Sequence, residues 1–431
     1  MRAAVSIAAA VAAAFWSPAD AGEPAVGPLV FTVAPQYDSA AGLEAPDRFP
    51  KGATVFLATQ TGRRPIAPGF YASADPVVSY DGGRILFTGK ASAGSPWQIW
   101  EVAVSGGSPR QVVRCQADCT HPLYLPDGRI AYTRATAMGS DIETASADGG
   151  SPERLTFAPG RHVTEDVLRD GRILYQSEGE LYTVYPDGTG VETLRCDHGP
   201  RRRDARQISS GDVIFRAADQ LARFTSALAT QTDVAQPDCE SAGPIAEVSP
   251  GKWVVSLRKS KGPFGLYLWT KEGGRTEPLE TPAGMNALQP SMVRRRDPPR
   301  QFPSGLVTSR TNGNLLCLDA RASRVPIAGR VAAVQVYSRD AAGQPILLGR
   351  QNVAGDGSFY VQVPADRPLR IELVNAEGLP VRAERGWFWM RPSEQRICVG
   401  CHMGPERSPE NRAPEILLRT IVPEKLMGAF Q

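Results

Sequence analysis

A unit of about 40 residues recurs along the first two thirds of the chain, and this repeat limits the fold more than any other feature of the sequence. In each copy an apolar segment leads into a glycine-containing turn, and a second apolar segment follows. The clearest copies turn at Asp81-Gly82-Gly83, Asp127-Gly128 and Asp170-Gly171, and weaker copies turn at Gly211 and Gly251. An Asp-Gly pair between apolar runs is a strong signal for a β-hairpin, so the repeat predicts regularly spaced hairpins.

Two further strands follow each hairpin, for example over residues 180–185 in the third clear copy. Four strands in such a unit make one blade of a β-propeller, and blades must stack because a single blade cannot bury both of its faces. We therefore predict an all-β fold with a six-bladed β-propeller over residues 28–295. The ring closes if the late strand at 290–293 pairs with N-terminal strands at 29–33 and 54–57. Seven blades are the alternative.

The C-terminal third has a different pattern. Residues 296–324 contain Pro and Gly clusters that predict a linker. Alternating apolar residues over 325–380 predict a small β-sandwich that resembles the carboxypeptidase regulatory type of Ig-like domain. Residues 381–431 carry little periodicity and predict an irregular segment, with one helix near 414–419.

The motif Cys398-Val399-Gly400-Cys401-His402 lies in this last segment. C-x-x-C-H is the attachment signature of a c-type haem, in which two cysteines form thioethers and the histidine binds the iron as proximal ligand. A redox C-x-x-C would favour a βαβ context, which the sequence lacks. A zinc site would need further Cys or His residues nearby, and none follows His402. We therefore expect one covalent haem c; nothing in the sequence supports a second metal.

The N-terminus predicts export. A short apolar run after Arg2 ends at Ala19-Asp20-Ala21, which is typical of a signal peptide over residues 1–21 and of a periplasmic or otherwise extracytoplasmic protein. No later stretch is long and apolar enough to predict a membrane span. The net charge of +3 argues against nucleic acid as a partner. A redox partner protein or a small molecule is the expected partner, and the oligomeric state stays open.

Other side chains are candidates for the haem surroundings. His121, His162 and His198 are predicted to lie in loops between blades on one face, and His121 is the first candidate for a distal iron ligand. Met390 and Met427 are alternatives, as is an iron with an open position. Trp387 and Trp389 are predicted either to pack on the porphyrin or to join the core of the small domain. Arg391 and Arg396 are candidates for pairing with propionates, or for solvated surface.

The cysteines outside the motif allow disulfides in an oxidising compartment. Cys115–Cys119 and Cys196–Cys239 are the predicted pairs, although spacing alone does not fix connectivity. Cys317 lies in an apolar run and is predicted to be a buried thiol.

The C-terminal third resembles a known family through four stretches of sequence. These are 314–319 (Asn-Leu-Leu-Cys-Leu-Asp), 355–366 around Gly355-Asp356-Gly357, 387–392 from Trp387 to Pro392, and the C-x-x-C-H motif. Together they resemble the alpha subunit of hydrazine synthase and related haem proteins, while the blade repeat resembles the TolB type. The resemblance implies a six-bladed propeller beside a haem c module, with Cys398 and Cys401 holding the haem and His402 as proximal ligand.

Two departures change what the resemblance implies. The hydrazine-forming subunit carries two haems, whereas this chain has one C-x-x-C-H. A tyrosine just after the motif ligates the active-site haem of that family, and here the stretch is Met403-Gly404-Pro405-Glu406. The resemblance thus implies a relative that kept the scaffold and one haem. Two functions follow as hypotheses: an exported redox protein, which transfers electrons or turns over a small molecule, or a non-catalytic propeller in which the haem is structural or a sensor.

Overall fold

The computed structural model describes residues 26–39, 41, 43, 45, 48–195, 199–234, 239–270, 275–279, 281–400 and 412–428. These residues form eight four-stranded β-sheets and one short helix. Within them, no helix is long and apolar enough to cross a membrane. The predicted signal peptide, Cys196, His198, Cys401 and His402 lie outside the described residues.

Six of the sheets are the blades of a propeller, as predicted. Blade 1 consists of β1 (Leu29–Ala34), β2 (Thr54–Thr59), β3 (Gly62–Pro65) and β24 (Asn286–Met292); blade 2 of β4 (Ala72–Val78), β5 (Arg84–Lys90), β6 (Gln98–Ala103) and β7 (Arg110–Val113); blade 3 of β8 (Cys119–Tyr124), β9 (Ile130–Thr136), β10 (Gly139–Ala145) and β11 (Glu153–Arg154). Blade 4 consists of β12 (His162–Val167), β13 (Ile173–Ser177), β14 (Glu180–Val184) and β15 (Glu192–Thr193); blade 5 of β16 (Arg202–Gln207), β17 (Val213–Ala217), β18 (Gln220–Phe224) and β19 (Thr232–Asp233); blade 6 of β20 (Glu240–Ser249), β21 (Lys252–Arg258), β22 (Gly265–Thr270) and β23 (Arg275–Pro278).

The ring closes through blade 1, which joins both ends of the propeller sequence. The late strand β24 pairs antiparallel with β1, with Val33 opposite Ala287 and Leu29 opposite Met292. This confirms the predicted closure with six blades. The second strands of the blades are buried on both sides because neighbouring blades pack on each face: every residue of β13 is buried. This packing explains why those strands read as continuous apolar runs in the sequence.

The C-terminal module is a sandwich of two sheets. One has the order β27-β26-β29-β30, from β26 (Ala333–Arg339), β27 (Pro345–Asn352), β29 (Arg370–Val374) and β30 (Pro380–Ala383). The other has the order β31-β25-β28-β32, from β25 (Asn312–Cys317), β28 (Phe359–Pro364), β31 (Gln395–Cys398) and β32 (Glu424–Lys425). Between the sheets lies an apolar core that includes Leu315, Val334, Phe359 and Val361.

The module extends beyond the predicted sandwich on both sides. Strand β25 falls in the range that was predicted to be a linker. It forms a strand of the sandwich because its alternating residues Leu315 and Cys317 pack in the module core. Strand β31 lies within the segment predicted to be irregular and pairs in parallel with β25. The helix α1 (Glu415–Arg419) follows the expected position and packs through Ile416 on Leu316 and Ala354. The predicted Cys115–Cys119 disulfide is present, with the Cα atoms 6.3 Å apart.

Candidate functional site

The described part of the C-x-x-C-H motif lies at the end of an edge strand. β31 runs parallel to β25, and Cys398 lies opposite Cys317. The side chain of Cys398 is half-buried against the module core, whereas its neighbour Ile397 is 65% exposed on the other face of the strand. Burial raises the pKa of the Cys398 thiol above its ordinary value. A half-buried cysteine at the end of an edge strand fits a sulfur that could form a thioether to a haem.

Trp389 and Arg391, which precede strand β31, connect the module to the propeller. The indole Nε1 of Trp389 donates a 2.8 Å hydrogen bond to the carbonyl of Gly188, in the turn between β14 and β15. The ring is 1% exposed and makes edge contacts with Phe157 and His162. The sequence left open whether Trp389 packs on a porphyrin or in the small-domain core. The structure shows a third arrangement, in which it joins the core of the propeller.

Arg391 strengthens the same junction. Its guanidinium donates to Glu153 of the propeller at 2.8 Å and to Asp366 of the module at 2.9 Å, while its Nε donates to the Asp187 carbonyl at 3.0 Å. Arg391 is 5% exposed, so its interpretation as a solvated surface residue was wrong, whereas a contact with a haem propionate stays a prediction. Gly188 has φ +83°, and an added Cβ would lie 3.0 Å from the Arg391 side chain, so this close approach favours glycine.

Trp387 also packs at this junction, and Arg396 lies in strand β31. The Trp387 ring is half-buried between the guanidinium carbons of Arg339, at 4.7 Å, and Arg370, at 5.3 Å. Arg396 stacks 5.6 Å from the Phe388 ring and pairs with Glu394 at 3.2 Å. Packing on a porphyrin stays a prediction for Trp387, and a propionate contact stays one for Arg396. Met390 is fully buried in the module core.

The structure places His121 elsewhere, in the central channel of the propeller. It lies within the innermost strand β8 rather than in a loop between blades, and His162 likewise begins β12. The Nδ1 of His121 is 2.9 Å from Thr120 Oγ1, and its Nε2 is 3.8 Å from Asp75 Oδ1. Cys398 instead packs on the module core. The structure therefore does not bring His121 and Cys398 together, and it lends no support to His121 as the distal ligand.

His121 belongs to a ring of residues at β-bulges, which was not predicted from the sequence. The register of the innermost strand shifts at an equivalent point in every blade. We call the residues at these points the bulge ring: Asp75, His121, Glu165, Asp204, Gly243 and Gln289. Four non-glycine members have φ between 51° and 57°, and Gly243 has φ 67°. Such backbone conformations cost energy in non-glycine residues, and here they recur at one level of the channel.

Hydrogen bonds join neighbouring members of the bulge ring across blades. Gln289 Nε2 donates to Asp75 Oδ1 at 2.6 Å, and the Asp75 amide donates back to Gln289 Oε1 at 3.0 Å. The Glu165 carboxylate accepts from the amides of Asp204 at 2.9 Å and Ala205 at 3.1 Å. Asp75 also pairs with the buried guanidinium of Arg48. The ring is thus a buried polar network that ties blades together at the propeller axis.

The local environment lowers the pKa of one of these carboxyl groups, Asp75, and raises the pKa of another, Glu165. Burial disfavours the ionised form of Asp75, but the charges of His121 and Arg48 and hydrogen bonds from Gln289 and Thr88 outweigh it and lower the pKa to about 2. Burial and the neighbouring Asp204 raise the pKa of Glu165 to about 8, against the charge of Arg206. At neutral pH the channel therefore holds one firmly ionised acid and one that keeps its proton.

A cavity of about 240 Å³ occupies the channel beside the bulge ring, lined by the innermost strands of all six blades. Among the residues that the structure describes, no group of three or more His, Cys, Asp or Glu side chains could hold a metal ion. One pattern in the sequence does indicate the bulge ring. A proline follows Asp75, His121, Gly243 and Gln289, so a residue-proline pair recurs at the same point of four blades.

Comparison with known proteins agrees with this architecture. The hydrazine synthase alpha subunit middle domain family matches residues 322–403. Hydrazine synthase subunit alpha of Kuenenia stuttgartiensis is 34% identical over 61 residues, which cover 14% of this chain and 8% of that protein. The solved hydrazine synthase of Kuenenia stuttgartiensis superposes with a TM-score of 0.80 at 17% identity, covering 91% of this chain and 72% of that one. TolB from Acinetobacter baumannii gives a TM-score of 0.48 at 13% identity, over 62% of this chain and 67% of that one.

The fold defines a class: a six-bladed β-propeller joined to a β-sandwich module. Within that class the chain is similar to the hydrazine synthase alpha subunit, in sequence over residues 322–403 and in fold over most of its length. The match in sequence lies in the module that carries Cys398, and the match in fold extends over the propeller as well.

Proposed function

We propose that the protein is an exported c-type haem protein with a redox role. The observation that carries the proposal is the C-x-x-C-H motif, whose first residue, Cys398, ends strand β31 of a module that is similar to the alpha subunit middle domain. Cys398 and Cys401 would hold one haem through thioether bonds, and His402 would be the proximal ligand. The periplasm or another extracytoplasmic compartment is the proposed location, because haem c attachment and the N-terminal signal pattern both favour it.

A bound haem would supply one-electron chemistry or a ligand site at the iron, and the chain's own residues would form its surroundings. The turn at 187–190 and the Arg391 ion pairs would position the attachment strand, and Arg396 and Trp387 would border the cofactor. A redox partner protein or a small molecule would exchange electrons with it. Because the relative is named hydrazine synthase, we propose a small nitrogen compound as the substrate class if the iron has an open position.

Spectroscopy of the purified protein tests whether the role is catalytic. If the iron turns over a small molecule, the reduced protein binds CO, and nitrite changes the spectrum. A low-spin spectrum that does not change when CO or nitrite is added would contradict catalysis at the iron and favour electron transfer. A protein that carries no haem after export alongside a haem c attachment system would contradict the proposal as a whole.

The junction provides a second test. Trp389→Ala removes the indole that anchors the attachment segment and should destabilise the module by about 3–5 kcal/mol, as for other buried tryptophans. We expect faster proteolysis between propeller and module and less haem attached per chain. Trp100→Ala is the control, because Trp100 is half-buried in blade 2, where it packs on Phe70. Equal proteolysis rates and haem contents in the two variants would contradict a positioning role for Trp389.

The channel supports a second candidate function, which is binding of a small polar ligand by the propeller. The observation that favours it is a cavity bordered by ionised Asp75, by His121 and by Gln289. If the channel is a binding site, ammonium or acetate should raise the Tm above that in sodium chloride of equal ionic strength, and His121→Ala should remove the increase. The same Tm in all three salts would contradict binding of either ion.

A further inference from the structure

Three arginines line the channel cavity on one side of the bulge ring, where the innermost strands end. Arg206 lies near the end of β16 in blade 5, and Arg294 and Arg296 follow β24, the innermost strand of blade 1. Arg295, between them in the sequence, does not line the cavity. Arg294 and Arg296 are exposed, so the cavity opens to solvent at this end. We call Arg206, Arg294 and Arg296 the arginine mouth.

The arginine mouth is held by backbone carbonyls rather than by acidic side chains. The guanidinium of Arg206 donates to the Glu165 carbonyl. That of Arg294 donates to the Glu247 carbonyl at 2.9 Å. In the part of the chain that the structure describes, none of the three guanidinium groups forms an ion pair with a carboxylate. Because a neutral carbonyl does not cancel the charge of a guanidinium, these side chains can still pair with an anion.

Close packing of the linker on blade 2 fixes two of these arginines. The Arg296 amide donates to the Tyr80 carbonyl at 2.8 Å, and its guanidinium donates to the Val78 carbonyl at 3.0 Å and lies 4.7 Å from the Tyr80 ring centre. Gly82 has φ +75°, and an added Cβ would lie 2.9 Å from the carbonyl carbon of Arg294. The linker is therefore part of the cavity wall.

Two acids also line this end of the cavity, and the next blade engages both. The Asp166 carboxylate accepts a hydrogen bond from the Gln207 amide at 2.8 Å. The Glu247 carboxylate accepts from the Ser209 amide at 2.7 Å and from its hydroxyl at 2.8 Å. Three arginines against two acids leave an excess of positive charge at this end. A cleft with walls of low dielectric strengthens the attraction of such a charge for an anion.

An apolar wall lies between the arginine mouth and the bulge ring. It consists of the prolines that follow four bulge residues and of neighbouring aliphatic side chains: Pro76, Pro122, Pro244, Pro290, Val77, Leu123 and Val167. An inorganic anion would leave this wall in contact with water. A hydrocarbon chain packed on the wall would remove apolar surface from water.

We propose that the arginine mouth and the apolar wall bind a small organic anion, with its carboxylate at the arginines and a short hydrocarbon chain in the cavity. This inference rests on the second candidate function, binding in the channel, and names the class of ligand. Guanidinium groups bind carboxylates through paired N–H···O bonds. The cavity of about 240 Å³ is smaller than sites for drug-sized ligands, which measure about 300–1,000 Å³, so the ligand is small.

Isothermal titration calorimetry of the full-length protein tests the class of ligand with butyrate, acetate and butylammonium at equal ionic strength. Butyrate should bind about tenfold more tightly than acetate, because its two further methylene groups pack on the wall. Butylammonium has the same chain and the opposite charge, and should bind more weakly than butyrate. Equal affinities for butyrate and acetate would overturn the role of the wall. No binding of butyrate, or tighter binding of butylammonium, would overturn the inference, and ammonium binding would still support the channel candidate.

Variants test the arginines one at a time. Arg206→Gln, Arg294→Gln and Arg296→Gln should each weaken butyrate binding by about tenfold, since each removes a charged hydrogen-bond donor. Arg295→Gln is the matched control, because Arg295 is exposed and does not line the cavity, and it should keep the wild-type affinity. Unchanged affinity in all three cavity variants would overturn the inference.

Chemical modification of the wild type gives a result that does not depend on variants. Phenylglyoxal modifies accessible arginines, and mass spectrometry of peptides measures the rate at each position. Butyrate should slow modification of the arginine mouth and leave the rate at Arg295 unchanged. The same rates with and without butyrate would overturn the inference. Haem attachment is measured separately, so failure of either proposal leaves the other open to its own test.

Discussion

The propeller channel and strand β31 both carry candidate site residues, but the two sets are recognised from different kinds of information. The bulge ring exists only after six blades have stacked, because its members come from strands that are 39 to 46 residues apart in the sequence. The C-x-x-C-H motif consists of five consecutive residues and can be found without knowing the fold. The proposed cofactor site can therefore be recognised from local sequence, whereas the bulge ring is recognised only from strand register and topology.

The two regions also differ in how they use buried charge. In the channel, ionised Asp75 and its partners Arg48 and Gln289 are all held within the propeller. At the junction, Arg391 connects the propeller to the module through Glu153 and Asp366. The channel network thus stabilises one domain, and the junction network orients one domain on another. Changes in each region should separate these roles.

The largest effect is expected for Asp75→Ala. Removing this carboxylate leaves Arg48 buried without its partner, and such a loss costs about 3–5 kcal/mol. Urea unfolding monitored by circular dichroism measures the change. Asp148→Ala is the control, because Asp148 is exposed in a turn and its removal should leave the unfolding transition nearly unchanged. A loss for Asp75→Ala as small as that of the control would show that the channel network does not stabilise the propeller.

Glu165 should make stability depend on pH. Its pKa is about 8 in the folded protein and 4.5 in the unfolded chain. The folded state keeps a proton that the unfolded state loses, so this contribution is present in full below pH 4.5 and is lost as the pH rises through 8. Between those values it lowers the free energy of unfolding by about 1.4 kcal/mol per pH unit. Glu165→Gln, which does not titrate, should flatten the curve; identical slopes in the two proteins would contradict the raised pKa.

A smaller effect is expected at the junction for Arg391→Lys. Lysine keeps the charge but cannot reach Glu153, Asp366 and the Asp187 carbonyl together. Because both acids are partly exposed, we expect a loss of about 1–2 kcal/mol. Module unfolding should then separate from propeller unfolding in urea titrations. Arg350→Lys, at an exposed position of β27, should leave the transition unchanged, and a matching curve for Arg391→Lys would exclude the ion pairs as a coupling element.

Periodicity and turns were enough to predict the propeller from the sequence. Asp-Gly hairpins such as Asp127-Gly128 are local signals, and ring closure follows from the need to bury blade faces. The role of Trp389 could not be predicted in this way, because its contacts with Phe157 and Gly188 join residues more than 200 positions apart. The sequence predicts a loop for His121 for a similar reason. It shows a polar residue before Pro122, but it does not show the bulge that places His121 in the channel.

Covalent haem attachment is the claim on which the functional account depends, and mass spectrometry of the intact, exported protein measures it most directly. We predict that the mass exceeds that of the polypeptide by the mass of one haem and that this excess survives denaturation. We also predict that the reduced haem in pyridine gives the spectrum typical of two thioether bonds. Cys398→Ala should shift that spectrum to the single-thioether form, and Cys398→Ala combined with Cys401→Ala should remove the added mass. An unmodified mass for wild-type protein exported alongside a haem c attachment system would contradict the account.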